Sequence, residues 1–162
     1  MTTISRLTAQ TTPPKTDREV IEEALGLIEA ENGWTQGTYC RDAEGAELRA
    51  DADSPGEWVR VRAEHVGRGG YVVRTEPAAS PCSYCLGGAL RAASGYWHAT
   101  QSYAALEQVE RLECLVLRLA NSVAARAWPS LQAYNDDAYT TRADAVLILK
   151  RAAAHLDAQE QK

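Results

Sequence analysis

The chain has no Phe, a single Met and little Lys, while Ala and Arg are heavily used. That bias follows GC-rich codon choice and speaks to coding rather than to fold. A basic excess is also missing. Lys and Arg total 17 against 22 Asp and Glu, for a net charge of -5. A general nucleic-acid binder carries cations that displace counterions from phosphate, so this class is not expected. No run approaches the roughly 18 apolar residues of a membrane span. The stretch "MTTISRLTAQTTPPKTDRE" has no hydrophobic region of a secretory signal, so a cytoplasmic location is expected. The four cysteines are expected to stay reduced there, without a structural disulfide.

What is present describes a folded protein. The 162 residues suit one domain, and 45% hydrophobic with 24% charged residues is a globular balance. Residues 1–15 are Thr-rich, end near Pro13-Pro14, and read as a flexible tail ahead of one globular domain over 16–157. Thr16 and Glu19 form a capping box before a helix whose apolar stripe is Val20, Ile21, Leu25, Leu27 and Ile28, stopped by Asn32 and Gly33. Residues 42–57 are acidic, contain Pro55-Gly56, and read as a surface loop. In "EWVRVRAEHV", Val59, Val61 and Ala63 alternate with Arg60, Arg62 and Glu64, the period of a half-buried strand. "YVVRTE" completes a hairpin with it. Further helices are expected in "SYCLGGALRAASG", in a long amphipathic stretch after Ser102, briefly after Pro129, and after a box at Thr141 and Asp144. The expected fold is α+β: about four to five helices with a small β-hairpin at the edge of a helical core.

Three motifs stand out: "GWTQG" with Trp34, Gln36 and Gly37; "CLGGAL" with Cys85, Gly88, Ala89 and Leu90; and "YNDDAYTTRADAVLILKRAA" with Asn135, Asp136, Thr141, Val146 and Leu149. Together they resemble a family of small uncharacterised proteins of actinobacteria and their phages. The resemblance implies a fold and a source and no mechanism, and it marks Cys85 rather than Cys82.

The pair Cys82 and Cys85 invites four readings. A redox dithiol needs a βαβ setting around C-x-x-C, and helix followed by hairpin does not supply it. Zinc needs four ligands; Cys82 and Cys85 would be completed by Cys40 and His98, with His65 and Cys114 as other choices. A cysteine nucleophile at Cys85 needs a base, His98 or His65, oriented by Asn135 or Asp136. His155, near the end of the last helix, needs no such account. Packing explains the segment without chemistry: cysteine behaves as a small hydrophobe, and Gly87, Gly88 and Ala89 let a neighbour approach closely. Packing is the favoured reading.

Other candidates divide similarly. Trp34, Tyr39, Trp97 and Tyr103 either line a ligand pocket or anchor the core, and packing is favoured. Gln36 is a loop ligand or a backbone brace. Asp136 and Asp137 are a turn signal before they are a cation site. Arg60, Arg62, Arg68 and Arg74 form a solvated ribbon face or a surface for an acidic partner. The expected function is a small cytoplasmic binding or regulatory protein, phage-encoded and acting on a host protein. A protein partner is expected, and no cofactor, membrane or nucleic acid. The alternatives are a cysteine-dependent enzyme using Cys85 and a small-ligand binder using the aromatic residues. Oligomeric state is not legible.

Overall fold

The computed structural model describes residues 14–54, 56–66, 70–97, 102–124 and 127–161, with His65 described by its backbone only. The expected tail as far as Pro13, His98, Arg68 and the His65 side chain therefore lie outside the described residues. The described end of that tail is tied down: Lys15 Nζ donates to the Ala93 carbonyl at 2.7 Å and pairs with Glu23.

Among the described residues there are five helices and a small amount of antiparallel sheet, an α+β fold. α1 spans Asp17–Glu29 and starts on the expected capping box, in which Thr16 and Glu19 satisfy each other's amides. It buries Val20, Ile21, Ala24 and Ile28. α5 spans Arg142–Glu160, starts on the Thr141–Asp144 box, and buries Ala145, Ile148, Leu149, Ala152 and Ala153. α1 packs on α5, and the alanines on both helices let their backbones approach closely. α2 (Leu86–Ala93) lies on the other side of α1, and α3 (Tyr103–Val123) covers α5 with Val109, Leu112, Leu115, Val116 and Ala120. α4 (Leu131–Asn135) is a short helix capped by Ser130. Fully burying a Leu or Ile stabilises by roughly 1.5–3 kcal/mol, so Ile21, Ile28, Leu86, Leu90, Leu112 and Leu149 dominate the core.

The β structure is richer than one hairpin. β1 (Cys40–Arg41) pairs with β5 (Ser83–Tyr84), and β2 (Leu48–Ala50) pairs with β3 (Trp58–Val66), which pairs with β4 (Gly70–Ala78). Two expectations are corrected here. The acidic loop of residues 42–57 contains β2, because Leu48 is buried against the core at 1% exposure. Ser83 and Tyr84 are strand rather than helix, and the helix begins only after Cys85.

β3 alternates as expected, but the opposite face is covered. Trp58 is buried and Arg60 half-buried, next to buried Leu48, while Val61 is half-buried and Ala63 exposed. Alternation alone cannot choose between faces; the bulk of Trp58, stacked edge-on against Trp97 at 5.0 Å, does. β2 covers only the base of β3, so the outer part of the β3–β4 ribbon projects as two strands.

The register also orients the backbone. Val61 N–H donates to Glu47 C=O at 3.0 Å, toward the β2 side. Residues along a strand alternate in hydrogen-bonding direction, so Arg60, Arg62 and Glu64 point to Glu76, Arg74 and Val72 on β4. Tyr71, Val73, Thr75 and Pro77 therefore turn their backbone groups away from β3. Pro77 sits where a missing N–H costs no bond inside the sheet.

Candidate functional site

The three sequence motifs meet at one place, where the turn after α1, the start of α2 and the end of α4 come together. Asn135 is the hub and is fully buried. Its Oδ1 accepts from Trp34 Nε1 at 3.1 Å and from the Leu86 amide at 3.0 Å. Its Nδ2 donates to Thr35 C=O at 3.1 Å and to Asp136 Oδ1 at 2.9 Å. All four bonding positions of the amide are used, as a buried Asn requires. Gln36 Nε2 donates to the carbonyls of Asn135 at 2.6 Å and Asp137 at 3.2 Å, closing the C-terminal end of α4. Gly37, at φ 76°, donates its amide to Asp136 Oδ1 at 2.8 Å. Burial works to raise the Asp136 carboxyl, but that amide, Asn135 and Gln132 outweigh it and hold it below the usual carboxylate value.

Cys85 is the N-cap of α2. Its sulfur accepts from the Gly88 amide at 3.2 Å, and its S–H points to Gln132 Oε1 at 3.7 Å. Burial pushes the thiol up to about 12 despite the Gly88 amide, and the nearby Asp136 carboxylate adds to the rise. A nucleophilic cysteine needs the opposite shift, toward thiolate. Cys40, whose sulfur faces the Leu48 carbonyl, is also raised to about 12 by burial. The small residues of the motif have a specific cause. A Cβ on Gly88 would lie 2.0 Å from Tyr39 O, the same carbonyl that accepts the Cys85 amide at 3.0 Å. α2 thus rests on the Tyr39 backbone, and only glycine fits at the contact.

The remaining candidates are dispersed. Cys82 is exposed while Cys85 is fully buried, and the two residues of β5, Ser83 and Tyr84, stand between them, so they are not a facing dithiol. Among the described residues no three His, Cys, Asp or Glu side chains converge to hold a metal ion. Trp34, Tyr39, Trp97 and Tyr103 have different neighbours. Trp34 bonds Asn135, Tyr39 lies under the Arg91 guanidinium at 4.6 Å, and Trp97 stacks near Tyr84 at 6.4 Å, while Tyr103 is exposed on the first turn of α3. Arg60 is engaged by Asp42 and Glu44, both at 2.5 Å, and Arg62 by Glu76 at 3.0 Å. Arg74 pairs with Glu64 at 2.9 Å. The opposed arginines Arg62 and Arg74 are thus each answered by a diagonal glutamate, and the charged ribbon face is neutralised within itself.

Sequence reasoning missed Gln132, which links Cys85 to Asp136. The available signal was the i, i+4 spacing of Gln132 and Asp136. It also missed a shallow cleft of about 520 Å³ beside this junction, walled by Tyr39, Glu47, Arg49, Gln132 and Asp136. Nothing in β2 announced that wall.

A family model described as a family of unknown function, DUF6197, matches residues 12–155, and that span contains all three motifs. The chain belongs to the DUF6197 family. No curated protein and no solved structure matches it. As a DUF6197 member it presents two distinct features: a saturated polar junction built from its motifs, and a projecting ribbon that exposes Ala63, Val73 and Tyr71 on one face. No helix among the described residues is long and apolar enough to cross a membrane.

Proposed function

We propose that this chain is a small cytoplasmic binding protein, phage-encoded and acting on a host protein, and that the apolar face of the β3–β4 ribbon is its docking surface. One observation carries the reading. Ala63, Val73 and Tyr71 share a ribbon face and are exposed, Val73 at 61% and Tyr71 at 71%, with Val61 half-buried at its base. Two-stranded ribbons are marginal in water on their own, and apolar residues out here add nothing to the core. Exposed apolar surface bearing a Tyr is the composition of an interface centre. The phage origin and host target rest on the motif resemblance alone.

The enzyme alternative draws no support from Cys85, which is buried, capped and held as a thiol. The test is affinity capture from host lysate with three baits. The native chain should retain a protein that Ala63→Asp loses and Arg74→Ala, on the opposite face, keeps. Equal capture by native and Ala63→Asp baits, or none by either, would overturn the reading.

A further inference from the structure

A second cleft, of about 410 Å³, opens where the middle of α3, the C-terminal end of α5 and the first residue of α1 meet. It shares no lining residue with the motif junction or the ribbon. Its walls follow from helical spacing. Arg111, Leu115 and Arg118 recur at steps of four and three, with Cys114 beside them, and so form one stripe of α3. His155 and Leu156 come round to face them on α5. Leu115 is buried and Leu156 half-buried, which makes the floor apolar, while both guanidiniums stand exposed at the rim.

The charges at this rim do not balance. Asp17, the carboxylate of the lining, is held by Arg111 at 2.7 and 3.0 Å. Asp157, on the same turn of α5 as Leu156, is held by Arg18 at 2.7 Å. Arg118 has no ion pair among the described residues. Its neighbours one turn away along α3 are Cys114, Leu115, Asn121 and Ser122, so no acid stands within reach on its own helix. In a chain of net charge -5, one guanidinium is left unanswered beside an apolar floor.

We infer that this cleft binds a small organic acid, with one carboxylate on Arg118 and an alkyl body on Leu115 and Leu156. The charge to be met is single, which suits a monoanion, and the two parallel donors of a guanidinium match a carboxylate. The C-terminal end of α5 disfavours an anion, so the carboxylate lies toward α3 and the alkyl chain toward Leu156. An exposed ion pair alone gains little against water, and the methylenes supply the remainder by leaving it. The volume falls in the range of small-ligand sites, roughly 300–1,000 Å³. Cys114 gives the cleft a reporter of its own: its thiol is exposed in the wall, whereas Cys82 is exposed elsewhere.

Octanoate, kept below the concentration at which it forms micelles, is titrated into the full chain and followed by calorimetry. It should bind saturably at one site. Saturation should slow alkylation of Cys114 several-fold and leave Cys82 unchanged. Octanol lacks the charge and acetate lacks the alkyl body, so each should bind about tenfold more weakly or less. Arg118→Ala removes an exposed side chain with no ion pair, so the fold should be kept and octanoate weakened about tenfold. Arg74→Ala, on the ribbon, should bind as the native chain does. Octanoate that fails to saturate, that slows both cysteines alike, or that binds Arg118→Ala as tightly as the native chain overturns the inference. So does octanol binding as tightly as octanoate. The ribbon is untouched by Arg118→Ala, so capture of a host protein and binding of octanoate are separate results.

Discussion

Gly88 and Cys85 show how a short motif can be structural in every residue. The Gly88 backbone rests on the Tyr39 carbonyl, where a methyl group would lie 2.0 Å from oxygen. The opposing atom is backbone, next to the pairing of β1 and β5 and bonded to the Cys85 amide, so it cannot swing aside. Gly88→Ala should destabilise by about 2–3 kcal/mol, in the range of overpacked cores, read as a lowered urea midpoint. Gly87→Ala is the milder control, because the nearest atom there is the mobile carboxylate of Glu113 at 3.2 Å. Cysteine chemistry follows exposure in the same way. In the native protein Cys82 and Cys114 should be alkylated quickly and Cys40 and Cys85 slowly, since the first pair is exposed and the second buried with thiols near 12. Mass spectrometry of labelled peptides checks the order, and rapid Cys85 labelling would contradict the capped geometry. The sequence marked Cys85 as a helix-start residue and Gly88 as a close-approach residue. What Gly88 approaches was not legible, because Tyr39 stands almost fifty positions away.

Helices ended where distant side chains close them. At the end of α1, the carbonyls of Ile28 and the cap residue Ala30 accept from Arg142 at 2.9 and 2.8 Å, and Glu29 C=O accepts from it as well. The last turn of α2 is met by Lys15 and that of α4 by Gln36. A cation is favoured at a helix C-terminus, and a guanidinium serves several carbonyls from one fixed plane. Arg142→Ala should fray the end of α1, costing about 1–2 kcal/mol. The Ala30 and Gly33 amides, bonded to Gly26 and Ala30 carbonyls, should then exchange faster in hydrogen–deuterium measurements. Arg142→Lys should recover only part of the protection. Helix starts were legible because capping boxes and apolar stripes are local patterns. Helix ends were less so, and the strands β1, β2 and β5 least of all. Strands of two or three residues have no period to read, and their existence depends on partners elsewhere in the chain.

At the scale of the whole molecule, three carboxylates join elements and make stability fall in acid. Asp17 ties α1 to α3 through Arg111, and that hydrogen bond holds its carboxyl below the usual 3.8. Asp42 ties its turn to β3: burial raises it, but the Ala46 amide and Arg60 outweigh burial and hold it low. Asp136 ties α4 to the turn at Gly37 and is also lowered. A lowered folded value means the unfolded chain binds these protons more readily. The stabilisation is therefore complete above the ordinary value near 3.8 and is lost as pH falls through the lower folded values. Glu113 acts in the other direction. Burial raises its carboxyl above 4.5, and the Arg91 guanidinium offsets only part of that, so ionising it costs stability as pH climbs past 4.5. Urea midpoints measured from neutral pH downward should rise slightly as Glu113 protonates, then drop once the aspartates begin to. Glu113→Gln should remove the rise and keep the drop, whereas Asp136→Asn should make the drop shallower and lower the plateau, because it also loosens the junction around Asn135. A midpoint that stays flat below the ordinary aspartate value would mean that these three ties do not join the elements in solution.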